Sequence, residues 1–142
     1  YRPESNSPHL LEKLASYHNL VSWNLFDDRK DEIEWIVQDI ERNIQEEELR
    51  PDEIVVIALD SRKKIADKEY ELLYKSLAEK GITSVRLGTD VPIDVFRVPG
   101  AVTITSVFRA KGNEASLIYV YGFEVAGSGK EGYETIRNRN LY

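Results

Sequence analysis

The sequence predicts an α/β domain built on a mostly parallel sheet. Residues 54–59, IVVIAL, form an apolar and largely β-branched run without alternation, which is typical of a strand covered on both faces. Predicted strands and amphipathic helices then follow one another along the chain, and two further strands flank a polar loop. Together these patterns predict helices packed on a single sheet.

A first helix is predicted to begin at Asp27 or Asp28, since a carboxylate there accepts from the free N–H groups of a helix start. Its apolar residues recur at spacings of three and four, which lays one stripe on the helix. They are Ile33, Ile36, Val37, Ile40 and Ile44. Residues 21–26 alternate weakly and are predicted to form a strand, and Pro51 with Asp52 is expected to end the unit.

A second helix is predicted over residues 64–80, with one apolar face and Gly81 as its stop. That face consists of Ala66, Tyr70, Leu73 and Leu77. Three further strands are predicted, at residues 82–87, 102–107 and 117–121. Trp23 and Trp35 are predicted to be packing residues.

Composition indicates one globular domain. The chain has 142 residues, of which 42% are hydrophobic and 31% charged, and no apolar run approaches the roughly 18–20 residues of a membrane span. Cysteine is absent, which excludes thiolate metal sites and fits the cytoplasm, the predicted location. His9 and His18 are expected to be surface or capping residues, so no metal site and no membrane partner are predicted.

The acidic character is concentrated in one region. Residues 27–53 hold 12 acidic and 4 basic residues, a local charge of −8 within a total of −6, which leaves +2 for the rest. A solvated helix face explains that acidity. The mildly basic remainder permits contact with nucleic acid without indicating it.

The most informative segment is the loop 108–114, FRAKGNE, directly after the predicted strand 102–107. Ligands of open α/β sheets gather outside the carboxyl ends of the strands. The loop offers two cations, a glycine that permits close backbone approach, and a carboxylate. Composition alone favours a solvated surface loop.

The order of residues in and around this loop favours a binding loop. Residues 102–115, VTITSVFRAKGNEA, followed by LIYVY at 117–121, closely resemble motif V of the UvrD-like superfamily 1 DNA helicases, with its Ala-Lys-Gly-any-Glu core between two strands. Residues 137–142, RNRNLY, resemble the opening of motif VI. Residues 26–37 and 49–57 are more weakly similar to the start of the second motor domain in that family, so the resemblance covers about 21–142.

The resemblance implies a RecA-like, P-loop NTPase-type three-layer sandwich that lacks its own P-loop. Residues 21–142 would be the second motor domain, ending at the start of motif VI, and residues 1–20 would lead into it. The absence of methionine and the ends at Tyr1 and Tyr142 fit an expected piece of a larger protein. The implied partners are an N-terminal P-loop motor domain of the same parent chain and single-stranded DNA, with ATP and Mg²⁺ bound in the parent protein.

Family roles for ATP fall on five residues. Glu114 matches the glutamate that contacts the ribose, while Lys111 and Gly112 match the pair beside the nucleotide cleft. Arg137 and Arg139 match the charged start of motif VI. These roles require Lys111 and Glu114 to stand at the open carboxyl edge of the sheet, facing a nucleotide held by another domain.

Family roles for DNA fall on three residues. Ser106 stands where the family usually has a threonine that contacts DNA, and its hydroxyl suits a backbone phosphate. Phe108 replaces the usual histidine, which removes a hydrogen bond but leaves a ring for base stacking. Arg109 is expected either to pair with a phosphate or to be solvated. No complete catalytic set is present, so the chain alone is predicted to be inactive.

Other motifs are set aside and two alternatives remain. Residues 127–130, GSGK, are not a P-loop, because Glu124 and Glu131 stand where glycine and Ser or Thr are needed. Tyr1 and Arg2 resemble motif IV only weakly. The alternatives to a helicase domain are a non-catalytic α/β interaction module and a small-molecule enzyme with acid–base chemistry from Glu114 and Lys111.

Overall fold

Four parallel strands form one sheet in the computed structural model, which describes residues 20–59, 62–92 and 94–123. The strands are β1 (Ile54–Ala58), β2 (Ser84–Arg86), β3 (Val102–Ser106) and β4 (Leu117–Tyr121). Their order is β2-β3-β1-β4, and every neighbouring pair is parallel. With its flanking helices the fold is α/β and consistent with a RecA-like three-layer sandwich, so the predicted fold class is confirmed.

Helix α1 (Arg29–Glu46) begins where the sequence supplies a cap. The side chain of Asp28, rather than that of Asp27, accepts from the backbone N–H of Asp31 at 2.9 Å. The predicted apolar stripe is confirmed, because Ile33, Ile36, Val37 and Ile40 are buried. A short 3₁₀ turn (Pro51–Glu53) then leads into β1.

Helix α2 (Lys63–Glu79) packs beside α1 on one face of the sheet. Leu73 and Leu77 have no exposed surface and join the α1 stripe and the strands in a single core. The helix stops at Gly81, whose φ of +72° is readily adopted by glycine. The members of that core that come from the strands are Ile54, Val56, Val102, Ile104, Tyr119 and Tyr121.

Among the described residues, irregular chain before β3 covers part of the opposite face of the sheet. Val55, Thr103 and Thr105 are buried there, because alternate residues of a strand point to opposite faces. The hydroxyl of Thr103 donates to the carbonyl of Phe96 at 2.9 Å, which ties the segment before β3 to this face. A short helix, α3 (Val107–Ala110), follows β3.

The prediction of a strand at residues 21–26 is wrong. No strand forms there, and the side chains of Trp23 and Leu25 are 73% and 99% exposed. Val21, Trp23 and Leu25 alternate with polar residues, but this segment pairs with none of the described strands, so its apolar side stays exposed. Trp35 does pack, with ring centroids 5.8 Å from Phe26 and 6.3 Å from Tyr119, whereas Trp23 lies at the surface against Phe123.

Within the described ranges, no helix has both the length and the apolar composition that crossing a membrane requires. The segment 1–19, with His9 and His18, and the segment 124–142, with the GSGK sequence, Arg137 and Arg139, lie outside the described residues.

Candidate functional site

The sheet has a topological switch between β1 and β3. The connection that leaves β1 runs through α2 to β2, beyond β3, whereas the connection that leaves β3 runs through α3 to β4, beyond β1. Adjacent strands whose connections depart toward opposite edges leave a crevice at their carboxyl ends, where α/β proteins bind ligands. The strand order therefore places a candidate site at this point.

A cavity of about 370 Å³ occupies the crevice. Its apolar floor includes Ala58 of β1, Ala66 of α2 and Ile104 of β3. The polar and aromatic side chains around it include Tyr70, Arg86, Ser106, Phe108, Arg109 and Tyr121. We call this space the carboxyl-edge pocket; two cations, hydroxyl groups and an exposed ring suit it to an anion joined to an aromatic group.

Arg86, the last residue of β2, is held rigidly at one wall. Its Nη1 donates to Oδ1 of Asp67 at 2.8 Å, and its guanidinium lies 4.7 Å from the centre of the Tyr70 ring. One carboxylate oxygen of Asp90 accepts from both the Arg86 backbone N–H and the Tyr70 hydroxyl, each at 2.7 Å. Burial, together with that bond to Asp90, raises the pKa of Tyr70 well above its usual range, so its hydroxyl stays a neutral donor.

Arg109 also lines the pocket and reaches it from α3. Its Nη1 donates to the backbone carbonyl of Leu87, at the carboxyl end of β2. The guanidinium crosses Gly88 so closely that a Cβ at that position would lie 2.6 Å from Nη1. Gly88 also has a φ of +73°, so this position favours glycine for two separate reasons.

Ser106 and Phe108 complete the part of the pocket that comes from the motif V-like segment. Ser106 precedes the first turn of α3, and its side chain makes no capping hydrogen bond there. Phe108 is 60% exposed although it is a large apolar residue. An exposed aromatic face beside two arginines is suited to stacking against a planar group.

A partly buried ion pair lies next to Tyr121, which lines the pocket. Nε of Arg29 donates to Oε1 of Glu69 at 2.9 Å, and the Arg29 guanidinium lies 5.4 Å from the centre of the Tyr121 ring. Burial raises the pKa of Tyr121 above its usual range. The hydroxyl of Tyr121 at this wall therefore stays protonated at neutral pH.

The remaining predicted residues that the structure describes do not line the carboxyl-edge pocket. Lys111 and Gly112 are exposed just after α3. Glu114 lies on the return toward the amino edge of the sheet, since the N–H of Ser116, two residues later, already donates to the carbonyl of Glu53 before β1. Its backbone carbonyl accepts from Nη2 of Arg97 at 2.8 Å.

The side chain of Glu114 is exposed, and its carboxylate makes no hydrogen bond or salt bridge to any described residue. The structure thus brings Ser106, Phe108 and Arg109 together in one pocket. The expectation that Glu114 stands at the carboxyl edge of the sheet is wrong, because the chain has by then turned back toward the amino edge, where β4 begins.

Two pocket residues were not identified from the sequence. Arg86 is the penultimate residue of the strand predicted at residues 82–87. A charged residue near the carboxyl end of a parallel strand was the signal that could have identified it. Tyr70 was assigned to the apolar face of α2, and its hydroxyl gives no separate signal in the sequence.

No family model, curated protein or solved structure matches the chain.

Proposed function

We propose that the chain is the second motor domain of an ATP-dependent superfamily 1 DNA helicase or translocase, and that its carboxyl-edge pocket contacts single-stranded DNA. One observation carries the proposal. The three residues that the motif V resemblance assigns to DNA, Ser106, Phe108 and Arg109, line a single pocket at the topological switch of a parallel sheet.

The chemistry of these side chains suits a single strand. Arginine and serine donate hydrogen bonds to phosphate oxygens, and phosphate contacts position a nucleic acid regardless of its sequence. Phe108 offers a ring face that can stack on a base only if that base is not stacked within a duplex.

The proposed contacts with ATP rest on the resemblance alone. In this proposal ATP and Mg²⁺ bind in a cleft shared with an N-terminal P-loop domain of the same cytoplasmic parent chain, and Lys111, Gly112 and Glu114 reach it together with Arg137 and Arg139. The position of Glu114 constrains the arrangement, since a ribose held by its carboxylate would lie beside the loop 111–116 and not inside the carboxyl-edge pocket.

The DNA contact is tested by fluorescence anisotropy with a labelled oligothymidylate at low salt. We expect weak binding that decreases as salt increases, because phosphate contacts release counterions. Phe108→Ala should weaken binding by about 1–3 kcal/mol, the usual value of one stacked base. Phe123→Ala is the matched control, because Phe123 is also exposed and does not line the pocket.

An oligothymidylate that binds the Phe108→Ala and Phe123→Ala variants equally well would contradict the proposed DNA contact.

The ATP assignment is tested by measuring phosphate release from ATP. The chain alone is expected to show no turnover, because the P-loop lysine and the magnesium-binding acid belong to the other domain in this proposal. Turnover that disappears in Glu114→Ala would be the chain's own activity and would overturn this expectation. In the parent protein, the same change should raise KM for ATP.

A non-catalytic interaction module is the second candidate, and exposed apolar residues favour it. Ile118 and Val120 are 48% and 37% exposed on the edge strand β4, and Trp23 and Leu25 are exposed as well. A correctly folded chain that binds no oligonucleotide at low salt would favour this alternative over the motor domain.

A further inference from the structure

We propose that Arg86 is a further nucleic-acid-binding residue, and that Arg86 and Arg109 together hold one backbone phosphate inside the carboxyl-edge pocket. This inference rests on the proposed function and deepens it, since it adds a residue from β2 to the DNA surface of the motif V-like loop. In this arrangement Asp67 and Tyr70 act as positioning residues for Arg86.

The two guanidinium groups are anchored in the same way. Nη1 of Arg86 donates to Asp67, and Nη1 of Arg109 donates to the carbonyl of Leu87. In the described part of the chain, Nε and Nη2 of both arginines donate to no protein group. Each arginine therefore keeps the pair of parallel N–H donors that matches two oxygens of a phosphate.

Both arginines are oriented before any ligand binds. The Arg86 side chain is only 27% exposed, and it lies between the ring of Tyr70 and the carboxylate of Asp67. The guanidinium of Arg109 lies across Gly88. Ordering a long side chain opposes binding, so two prearranged arginines bind an anion with a smaller loss of entropy.

The described carboxylates near the pocket bond to groups other than Arg109. Asp67 pairs with Arg86, and Oδ2 of Asp90 accepts from the Tyr70 hydroxyl and from the Arg86 backbone N–H. Glu32 and Glu69 both pair with Arg29. No described carboxylate contacts Arg109, whose charge is therefore left for a ligand. A phosphodiester supplies one negative charge and the oxygens that these donors need, with the Ser106 hydroxyl alongside.

The first experiment compares Arg86→Gln with Arg50→Gln in anisotropy titrations of an oligothymidylate over a range of salt concentrations. Both variants remove one positive charge, but Arg50 lies near the amino edge and pairs with Asp52 and Glu53. Arg86→Gln should weaken binding about tenfold, the usual value of a charged hydrogen bond. It should also reduce the slope of log K against log salt by about 1.

Arg86→Lys should keep the salt slope and recover only part of the affinity, because an ammonium lacks the paired donors. An oligonucleotide with neutral methylphosphonate linkages should bind the unmodified chain more weakly than a normal one does. Replacing the normal linkages by methylphosphonates should cost less affinity in Arg86→Gln than in the unmodified chain, because Arg86→Gln has already lost the phosphate contact.

Asp67→Ala removes the oxygen that accepts from Arg86 and also removes a negative charge. The change makes the protein more positive, so it would tighten oligonucleotide binding if only net charge mattered. If Asp67 positions Arg86, the variant should bind more weakly even though its charge has become more favourable. Tighter binding by Asp67→Ala would overturn the positioning role.

The failure of this inference can be distinguished from the failure of the proposed function. If Phe108→Ala weakens binding but Arg86→Gln behaves like Arg50→Gln, the phosphate site is wrong and the DNA surface stands. If the unmodified chain does not bind the oligothymidylate at low salt, both proposals fail. Thermal unfolding of each variant establishes that a loss of binding does not come from a loss of folding.

Discussion

Arg109 and Gly88 form a close contact that joins two separate segments of the sheet edge. The guanidinium of Arg109 crosses Gly88 to donate to the carbonyl of Leu87, so a Cβ at Gly88 would displace the guanidinium. One residue follows β3 and the other follows β2, so this contact fixes the loop after β3 against the neighbouring strand. A substitution that breaks this contact should free the Arg109 side chain from β2 without unfolding the protein.

The first prediction concerns Gly88→Ala. The left-handed conformation of Gly88 should cost about 1–2 kcal/mol once a side chain is present. The new Cβ would displace only the guanidinium of Arg109, which is the end of a flexible side chain. This displacement should therefore add little to the loss of stability. Gly100→Ala is the control, since Gly100 has a similar φ of +75° with nothing within 4 Å of its added Cβ.

Urea unfolding should give similar losses of stability for Gly88→Ala and Gly100→Ala. NMR signals of the Arg109 side chain should shift only in Gly88→Ala. Unchanged Arg109 signals in both variants would show that the contact does not hold Arg109.

The second prediction concerns the start of α1. Asp28→Ala removes the carboxylate that accepts from the N–H of Asp31 and should lower the free energy of unfolding by about 1 kcal/mol. Asp27→Ala is the matched control, because the exposed Asp27 side chain makes no hydrogen bond to the described residues. Urea denaturation should therefore distinguish two adjacent aspartates, and equal losses would mean that the cap is not formed in solution.

The third prediction concerns Tyr119 at neutral pH. Its hydroxyl donates to Oδ2 of Asp39 at 2.7 Å, and Asn43 contacts both groups. Tyr119→Phe should destabilise the fold by about 1 kcal/mol at neutral pH, the usual value of one hydrogen bond. Tyr74→Phe should stay within about 0.5 kcal/mol, because Tyr74 is 47% exposed and its hydroxyl has no partner among the described residues.

The fourth prediction concerns Tyr119 in alkali. Burial, with the bond to Asp39, raises the pKa of Tyr119 in the folded protein above its unfolded value of about 10. The resulting stability is fully present below pH about 10 and is lost as pH rises toward the folded pKa. Tyr119→Phe should therefore lose stability less steeply above pH about 10, by at most about 1.4 kcal/mol per pH unit. An equally steep loss in the variant, measured by urea unfolding at several pH values, would count against this linkage.

The fifth prediction compares two leucines. Leu77 of α2 is fully buried in the core, so Leu77→Ala should lower the free energy of unfolding by about 2–5 kcal/mol. Leu25 is 99% exposed, and Leu25→Ala should change stability by less than about 0.5 kcal/mol. Thermal or urea unfolding checks both, and a large loss at Leu25 would indicate that it is covered in solution.

Local patterns in the sequence determined most of the secondary structure. The three-and-four spacing from Ile33 to Ile40 required one buried face of α1, and the uninterrupted run 54–59 required a strand inside a sheet. The conformation of Gly81 ended α2 where predicted. Each of these signals depends only on residues close together in the sequence, because periodicity and capping act between near neighbours.

Tertiary structure alone decided the strand order and the composition of the pocket. Placing β1 between β3 and β4 brings Arg86 and Arg109 to one crevice and sends Glu114 back toward the amino edge. The same long-range selection left residues 21–26 without a partner strand. The physical reason is that strand pairing depends on which distant apolar faces can be buried together, and no short stretch of sequence contains that information.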